Sequence, residues 1–173
     1  AFKRIPAEER LLAVLADGLG HGLKANILAL MTTTMALRFS AEDREIVHSA
    51  EIIMDSLPVC RVRQISYATF TIVDTRLGGV TRIVEMGNPE FLLLRHGRPF
   101  PVEGREFSSP KYRERAMTAY TFQAQAEDRV LFFSDGVTQA GLGTPRFPLG
   151  WRGSGVEEYA AEQVAAQPDI CAQ

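Results

Sequence analysis

The chain has 173 residues, 46% of them hydrophobic and 23% charged, a balance that excludes a disordered segment and fits one globular domain over 1–173. Nineteen Lys and Arg against 21 Asp and Glu leave a net charge of −2. No basic excess exists to hold a phosphate backbone, so a dedicated nucleic-acid binder is excluded. Cys60 and Cys171 have no CxxC or Cys–His spacing, which argues against a disulfide framework or a zinc site and for a reducing, cytoplasmic setting. The longest uncharged stretch, Ala25 to Leu37, carries three threonines and falls short of the roughly 20 apolar residues of a membrane span. The start, AFKRIPAEER, lacks the apolar core of a signal peptide. No membrane association is expected.

In chain order, Leu11 to Ala16 (LLAVLA) reads as a short strand buried on both faces, ending in Asp17-Gly18. The glycine-rich turn GLGHG leads into a helix from Gly22 to Arg38. Leu23, Ile27, Leu30, Thr34 and Leu37 follow helical spacing, while Leu28, Met31 and Met35 widen the stripe. Such a helix is expected to be largely buried, with the two methionines filling core. Ser40, with Asp43 three residues on, approximates a capping box for a second helix. That helix buries Ile46, Ala50, Ile53 and Leu57 and stops at Pro58.

Residues 65–73 (ISYATFTIV) are β-branched and aromatic, as strands are. Asp74 to Gly79 predicts a hairpin turn, and 80–86 alternates as a second strand. Gly87-Asn88-Pro89 turns the chain into a strand at Phe91 to Leu94, with a hairpin at His96-Gly97. A polar loop over 103–116 precedes strands at Met117 to Phe122 and Val130 to Phe133, the second running through Ser134 into Asp135-Gly136. Residues 137–153 read as a loop or flap, and Ser154 with Glu157 caps a last helix to Ala166. A strand, two helices and then a meander predict an α+β fold of antiparallel sheets with helices segregated outside.

An apolar strand thus ends twice in Asp-Gly, at Asp17-Gly18 and Asp135-Gly136. An aspartate on a strand end is held at a fixed place, and the glycine after it admits close approach of backbone or ligand. Carboxylate oxygens suit hard cations such as Mg²⁺ or Mn²⁺. Asp-Gly is also an ordinary turn dipeptide, so the pair alone leaves metal binding and plain turn chemistry both open.

The surroundings narrow the choice. ADGLGHG (16–22), the triplet Lys24-Ala25-Asn26, the Gly87-Asn88 turn and the strand LFFSDG (131–136) resemble signature segments of the PPM-type metal-dependent serine/threonine phosphatases, in their SpoIIE-like branch. The resemblance covers about residues 10–140 and is nearest to the short stand-alone phosphatases of the stressosome pathway. It implies a four-layer αββα sandwich of two mainly antiparallel sheets, and two Mn²⁺ or Mg²⁺ ions held by Asp17, the Gly18 carbonyl and Asp135. It also implies hydrolysis of phosphoserine or phosphothreonine by a hydroxide held between the two ions. The implied substrate is a phosphorylated STAS-domain regulator of a bacterial stress or sigma-factor switch.

The family also carries a metal-binding Asp ahead of where residue 1 falls and a last one in an Asp-Asp-x-Thr setting, which Asp169 does not match. The given sequence is therefore expected to lack segments at one or both ends. The alternative is a pseudophosphatase that binds the same partner without turnover.

Three further residues are candidates for contacting substrate. His21, beside the first turn, is placed to donate to phosphate or to satisfy amides at the start of the following helix. Asn88 suits a phosphate or water contact, or simple turn chemistry. Arg4, with Lys3 beside it, offers a guanidinium for bidentate phosphate contact, or solvated charge. His48 and His96 read as surface residues, and KYRER (111–115) as a solvated loop or a contact for an acidic partner. Phe147, Leu149 and Trp151 are expected either to dock on a sheet edge or to form a recognition surface.

Overall fold

The computed structural model describes residues 1–42, 45–57, 68–109, 111 and 115–170. Cys60, Cys171, the cap partner Asp43, the stop at Pro58, the start of the expected strand at 65–67 and the middle of KYRER lie outside the described residues. The chain divides into two compact units, 1–88 with 103–124, and 89–102 with 125–173.

The first unit opens with β1 (Phe2–Ile5) and a 3-10 turn at Pro6–Glu8, followed by β2 (Arg10–Gly18), α1 (Leu23–Glu42) and α2 (Ile46–Ser56). Strands β3 (Ala68–Arg76) and β4 (Val80–Met86) come next. The second unit begins with β5 (Leu92–Arg95) and β6 (Arg98–Pro99). The chain then returns to the first unit for β7 (Gly104–Ser108) and β8 (Ala116–Gln123). Strand β9 (Arg129–Leu131), a four-residue helix α3 (Asp135–Thr138) and α4 (Arg152–Ala166) complete the second unit.

Among the described residues every pairing is antiparallel, in a six-stranded sheet ordered β1-β2-β3-β4-β8-β7 and a three-stranded sheet ordered β6-β5-β9. The strand period of two puts Val14, Phe70, Ile72, Val84, Met86 and Met117 on one face of the larger sheet. There they form one core with Ile46, Ala50, Ile53 and Met54 of α2.

β2 is longer than expected and is not buried evenly: Leu12 and Val14 are buried, whereas Leu11 is exposed. It is the second strand of an antiparallel sheet, so its two faces meet different surroundings. β1 and β7 were not foreseen. Both lie at sheet edges, where an exposed strand needs no apolar alternation and charged residues such as Lys3, Arg4 and Arg105 guard the open edge.

α1 departs furthest from its expected face. Its buried residues are Ala25, Leu28, Thr32, Ala36 and Ser40, while Leu23, Ile27, Leu30 and Met31 are exposed. The cause is close approach. A Cβ on Gly18 would sit 2.0 Å from the Ala25 carbonyl oxygen, so the helix lies against the strand mainly on small side chains, with Leu28 the one large residue buried among them. Met31 is therefore not core filling, whereas Met35 packs at the core margin.

Ser40 does not cap α2 either; it is buried inside α1, and its carbonyl accepts from Arg10 Nη2 at 2.7 Å. Arg10 also grips Asp74 from both nitrogens, at 2.7 and 3.0 Å, with Glu8 at 3.5 Å. Burial works to lower the guanidinium's value, but its bonds and charge attraction to Asp74 and Glu8 prevail and hold it above the usual arginine range. Asp74 is consequently a buried strand residue rather than the start of a turn, and β3 runs on to Arg76.

In the second unit, Arg95 clamps Asp128 through two bonds, at 3.0 and 2.7 Å. The chain after β9 forms successive turns, with Thr144 donating to the Gly141 carbonyl at 2.7 Å. Trp151 meets Tyr159 edge-on at 5.5 Å, and its ring occupies the space a Cβ on Gly155 would need. It therefore docks on α4 rather than on a sheet edge, while Leu149 is exposed. α4 ends at Ala166 as expected but starts at Arg152, and no side chain caps it, Ser154 included. Among the described residues, no helix is long and apolar enough to cross a membrane.

Candidate functional site

Asp17 sits one residue from the end of β2, opposite Thr69 in the pairing with β3. Its side chain is exposed. It has no hydrogen-bond or ion-pair partner among the described residues. Gly18 follows, buried and opposite Ala68. With the Ala25 carbonyl where a Cβ would stand, no other residue fits there. The sheet thus fixes the backbone of Asp17, and the glycine lets the start of α1 come up beside it.

Gly20 and Gly22 both take left-handed backbone, with φ of +96° and +77°, on either side of His21. His21 is exposed and bonds to nothing in the first turn of α1 among the described residues. That turn is instead closed by the Asn26 amide, which donates to the Gly22 carbonyl at 3.1 Å. Capping therefore does not account for the histidine.

Asn88 is drawn to the same end of the sheet. Its Oδ1 accepts from the Thr69 hydroxyl at 2.6 Å, and its Nδ2 donates to Thr71 Oγ1 at 3.0 Å. It thereby bridges two threonines of β3, one of them directly across from Asp17. Thr69 was not singled out in the sequence, since a threonine in a β-rich run reads as strand filler.

Arg4 is not brought there. β1 runs antiparallel to β2 with Arg4 opposite Leu11 and Lys3 opposite Leu12, so Arg4 lies six residues along β2 from Asp17, about 20 Å at strand rise. Lys111, first of the KYRER run, donates to the Asp55 carbonyl at 3.1 Å.

Asp135 belongs to the second unit. β9 stops at Leu131, short of the expected Phe133, opposite Leu92 where its partner β5 begins. Asp135 is then the first residue of α3, exposed, with its Oδ2 accepting from Gln139 Nε2 at 2.9 Å. Gly136 is unconfined: a Cβ there would meet only Ser134 Oγ, at 3.6 Å.

A cavity of about 370 Å³ in the first unit is lined by Glu45, Arg82, Glu103 and Arg105 among others. One of about 380 Å³ in the second is lined by Phe91, Phe100, Phe133 and Glu157 among others. Neither includes Asp17, His21, Asn88 or Asp135; these residues sit on open strand and helix ends.

The donor chemistry at Asp17 and Gly18 fits a hard divalent cation: an unpartnered carboxylate on a rigid strand, beside a glycine whose side-chain space is closed. Among the described residues no three His, Cys, Asp or Glu come together. Mg²⁺ commonly takes only one or two carboxylates and keeps several waters, so the donor set is compatible with it.

No curated protein matches the chain. Solved structures do, at low identity. The chain is similar to the RsbU and RsbW domains of Rv1364c from Mycobacterium tuberculosis, with a TM-score of 0.70 and 20% identity over 93% of this chain. It is also similar to the phosphatase domain of the cell fate determinant SpoIIE from Bacillus subtilis, with a TM-score of 0.57 and 15% identity over 92% of this chain. RsbX in complex with magnesium gives a TM-score of 0.58 and 17% identity over 94%. The chain spans 44%, 73% and 78% of those three chains respectively.

These likenesses show the fold, the expected α+β fold of PPM-type phosphatases with two antiparallel sheets and helices. The family model of stage II sporulation protein E matches residues 7–167, which takes in both Asp-Gly segments, and the chain belongs to the SpoIIE family.

Proposed function

We propose that the chain is a divalent-metal-dependent phosphatase that hydrolyses phosphoserine or phosphothreonine on a regulatory protein. The observation that carries this reading is Asp17: a carboxylate without a partner among the described residues, on the end of a strand paired with β3, beside a glycine that no other residue can replace. Membership in the SpoIIE family and the likeness to a magnesium complex of RsbX support it.

Asp17 with the Gly18 carbonyl, and Asp135 in the second unit, are the residues we assign to Mn²⁺ or Mg²⁺, two ions in all. Bound there, the cations supply Lewis-acid stabilisation of phosphoryl charge and an activated water. The β2–β3 pairing holds the backbone of Asp17 in place. Asp135 accepts one bond, from Gln139 at Oδ2, and keeps its remaining lone pairs for a cation. To His21, exposed between two glycines, we assign a hydrogen bond or proton to phosphate. The substrate we assign is a phosphorylated STAS-domain protein of a partner switch in the bacterial cytoplasm.

The test is phosphate release from a phosphoserine protein with Mn²⁺, then with excess chelator. Chelator-sensitive release is the expected outcome. A folded, Mn²⁺-supplied protein without turnover contradicts it and favours the alternative, a pseudophosphatase that only binds the partner. Asp135→Asn is expected to weaken Mn²⁺ binding and turnover strongly, and unchanged Mn²⁺ titration removes Asp135 from the assignment. His21→Ala is expected to cost less than either aspartate.

A further inference from the structure

Asp17 and Thr69 face each other on the same side of the sheet, with Cβ atoms about 5 Å apart in such pairs. A threonine hydroxyl in that position is within reach of the carboxylate. It is turned elsewhere. The Thr69 hydroxyl donates to Asn88 Oδ1 at 2.6 Å, Asn88 Nδ2 donates to Thr71 Oγ1 at 3.0 Å, and Thr71 Oγ1 donates to Glu85 Oε1 at 3.4 Å.

The direction of this line follows from proton counting, because a hydroxyl carries one hydrogen. Glu85 takes the hydrogen of Thr71, which leaves Thr71 only lone pairs to offer Asn88. The carboxamide must therefore point its NH₂ at Thr71 and its oxygen at Thr69. The single hydrogen of Thr69 is then committed to Asn88 and withheld from Asp17. Gly87, at φ +73°, presses the turn onto this pair: a Cβ there would lie 2.7 Å from Thr69 Cγ2. Thr71 and Glu85 are buried, so the far end of the line is anchored.

We propose that Asn88 is a positioning residue that holds the Thr69 hydroxyl hydrogen away from Asp17, leaving the carboxylate free for a divalent cation. The proposal rests on the metal-dependent reading above, and it recasts Asn88 from a phosphate contact into a guard of the metal ligand. Without Asn88, the hydroxyl rotates onto Asp17 and a cation must displace that bond.

The experiment is calorimetric titration of Mn²⁺ alone into wild type, Asn88→Ala, Thr69→Val, the Asn88→Ala/Thr69→Val double variant and Asp17→Asn, each checked for fold by circular dichroism. Asn88→Ala is expected to bind about tenfold more weakly, the scale of one hydrogen bond to a charged group. The double variant is expected to return to the affinity of Thr69→Val, since no hydroxyl remains to occupy Asp17. If alanine unfolds the turn, Asn88→Leu, similar in shape and without an acceptor, carries the same expectation.

Unchanged affinity in Asn88→Ala, or a double variant as weak as Asn88→Ala, overturns the proposal while leaving the metal reading intact. The second of these outcomes would mean that the asparagine acts only by shaping the turn. Wild type that takes up no Mn²⁺, or Asp17→Asn that takes up as much as wild type, overturns the metal reading and the proposal together.

Discussion

Seven residues before Asp17, Arg10 is gripped by Asp74; seven residues before Asp135, Asp128 is gripped by Arg95. Each Asp-Gly pair thus follows a strand whose start is fastened by an arginine–aspartate ion pair, and from there the two regions diverge. The first ion pair is fully buried, and its strand runs nine residues up to Gly18, paired along its whole length with β3 and over Arg10–Ala13 with β1 as well. The second is partly exposed and its strand is three residues long, so the chain leaves the ladder before reaching Asp135. Gly18 is locked by Ala25, whereas Gly136 is open. The same dipeptide after the same kind of apolar run gives a rigid strand end in one unit and the first turn of a short helix in the other. What decides is the length of the neighbouring strand.

If that contrast is right, substitutions in the first region should cost far more than their counterparts in the second. Asp74→Asn leaves the buried Arg10 guanidinium short of its counter-charge and should lower unfolding free energy by about 4 kcal/mol in urea titration. Gly18→Ala forces a Cβ into the Ala25 carbonyl, and because a backbone atom is in the way the cost should be about 3 kcal/mol, with α1 displaced. A loss under about 0.5 kcal/mol at Gly18 would mean that the strand end is not locked.

Asp128→Asn should cost less than either, and its effect should depend on pH. The Arg95 hydrogen bond outweighs burial and holds the Asp128 carboxyl below the usual carboxylate range. Its contribution is therefore present above that range and is lost as pH falls through the lowered value. The gap between wild type and Asp128→Asn should be constant near neutrality and close on the acid side; a gap that widens with acid contradicts the pairing. Gly136→Ala should be nearly silent, within about 0.5 kcal/mol, and a large loss there would show that the second segment is as confined as the first.

The comparison also explains what could be read from the sequence. Strands β4 and β8, the end of α4 and the α+β class were legible because alternation and helical spacing are local signals. The buried face of α1 was not, since it is set by close contact with Gly18, which hydrophobicity does not encode; Ala25, Thr32, Ala36 and Ser40 face in with Leu28, while Leu23, Ile27, Leu30 and Met31 face out. Edge strands β1 and β7 carry no apolar alternation to be found. Asp74 looked like a turn because its partner Arg10 is 64 residues away.

At the site, the strand-end position of Asp17-Gly18 was legible from the apolar run before it, and Asn88 as a turn residue. Thr69 was invisible, because only the strand register sets it beside Asp17. Arg4 was misplaced for the same reason, its position being fixed by pairing with Leu11 rather than by distance along the chain.

The central claim is that Asp17 serves a metal-dependent hydrolysis. The most direct test is phosphate release from a phosphoserine protein by wild type and Asp17→Asn, prepared together, matched for fold and saturated with Mn²⁺. The account predicts turnover in wild type and a fall to the uncatalysed rate in Asp17→Asn with stability unchanged. Equal turnover in the two proteins would contradict it.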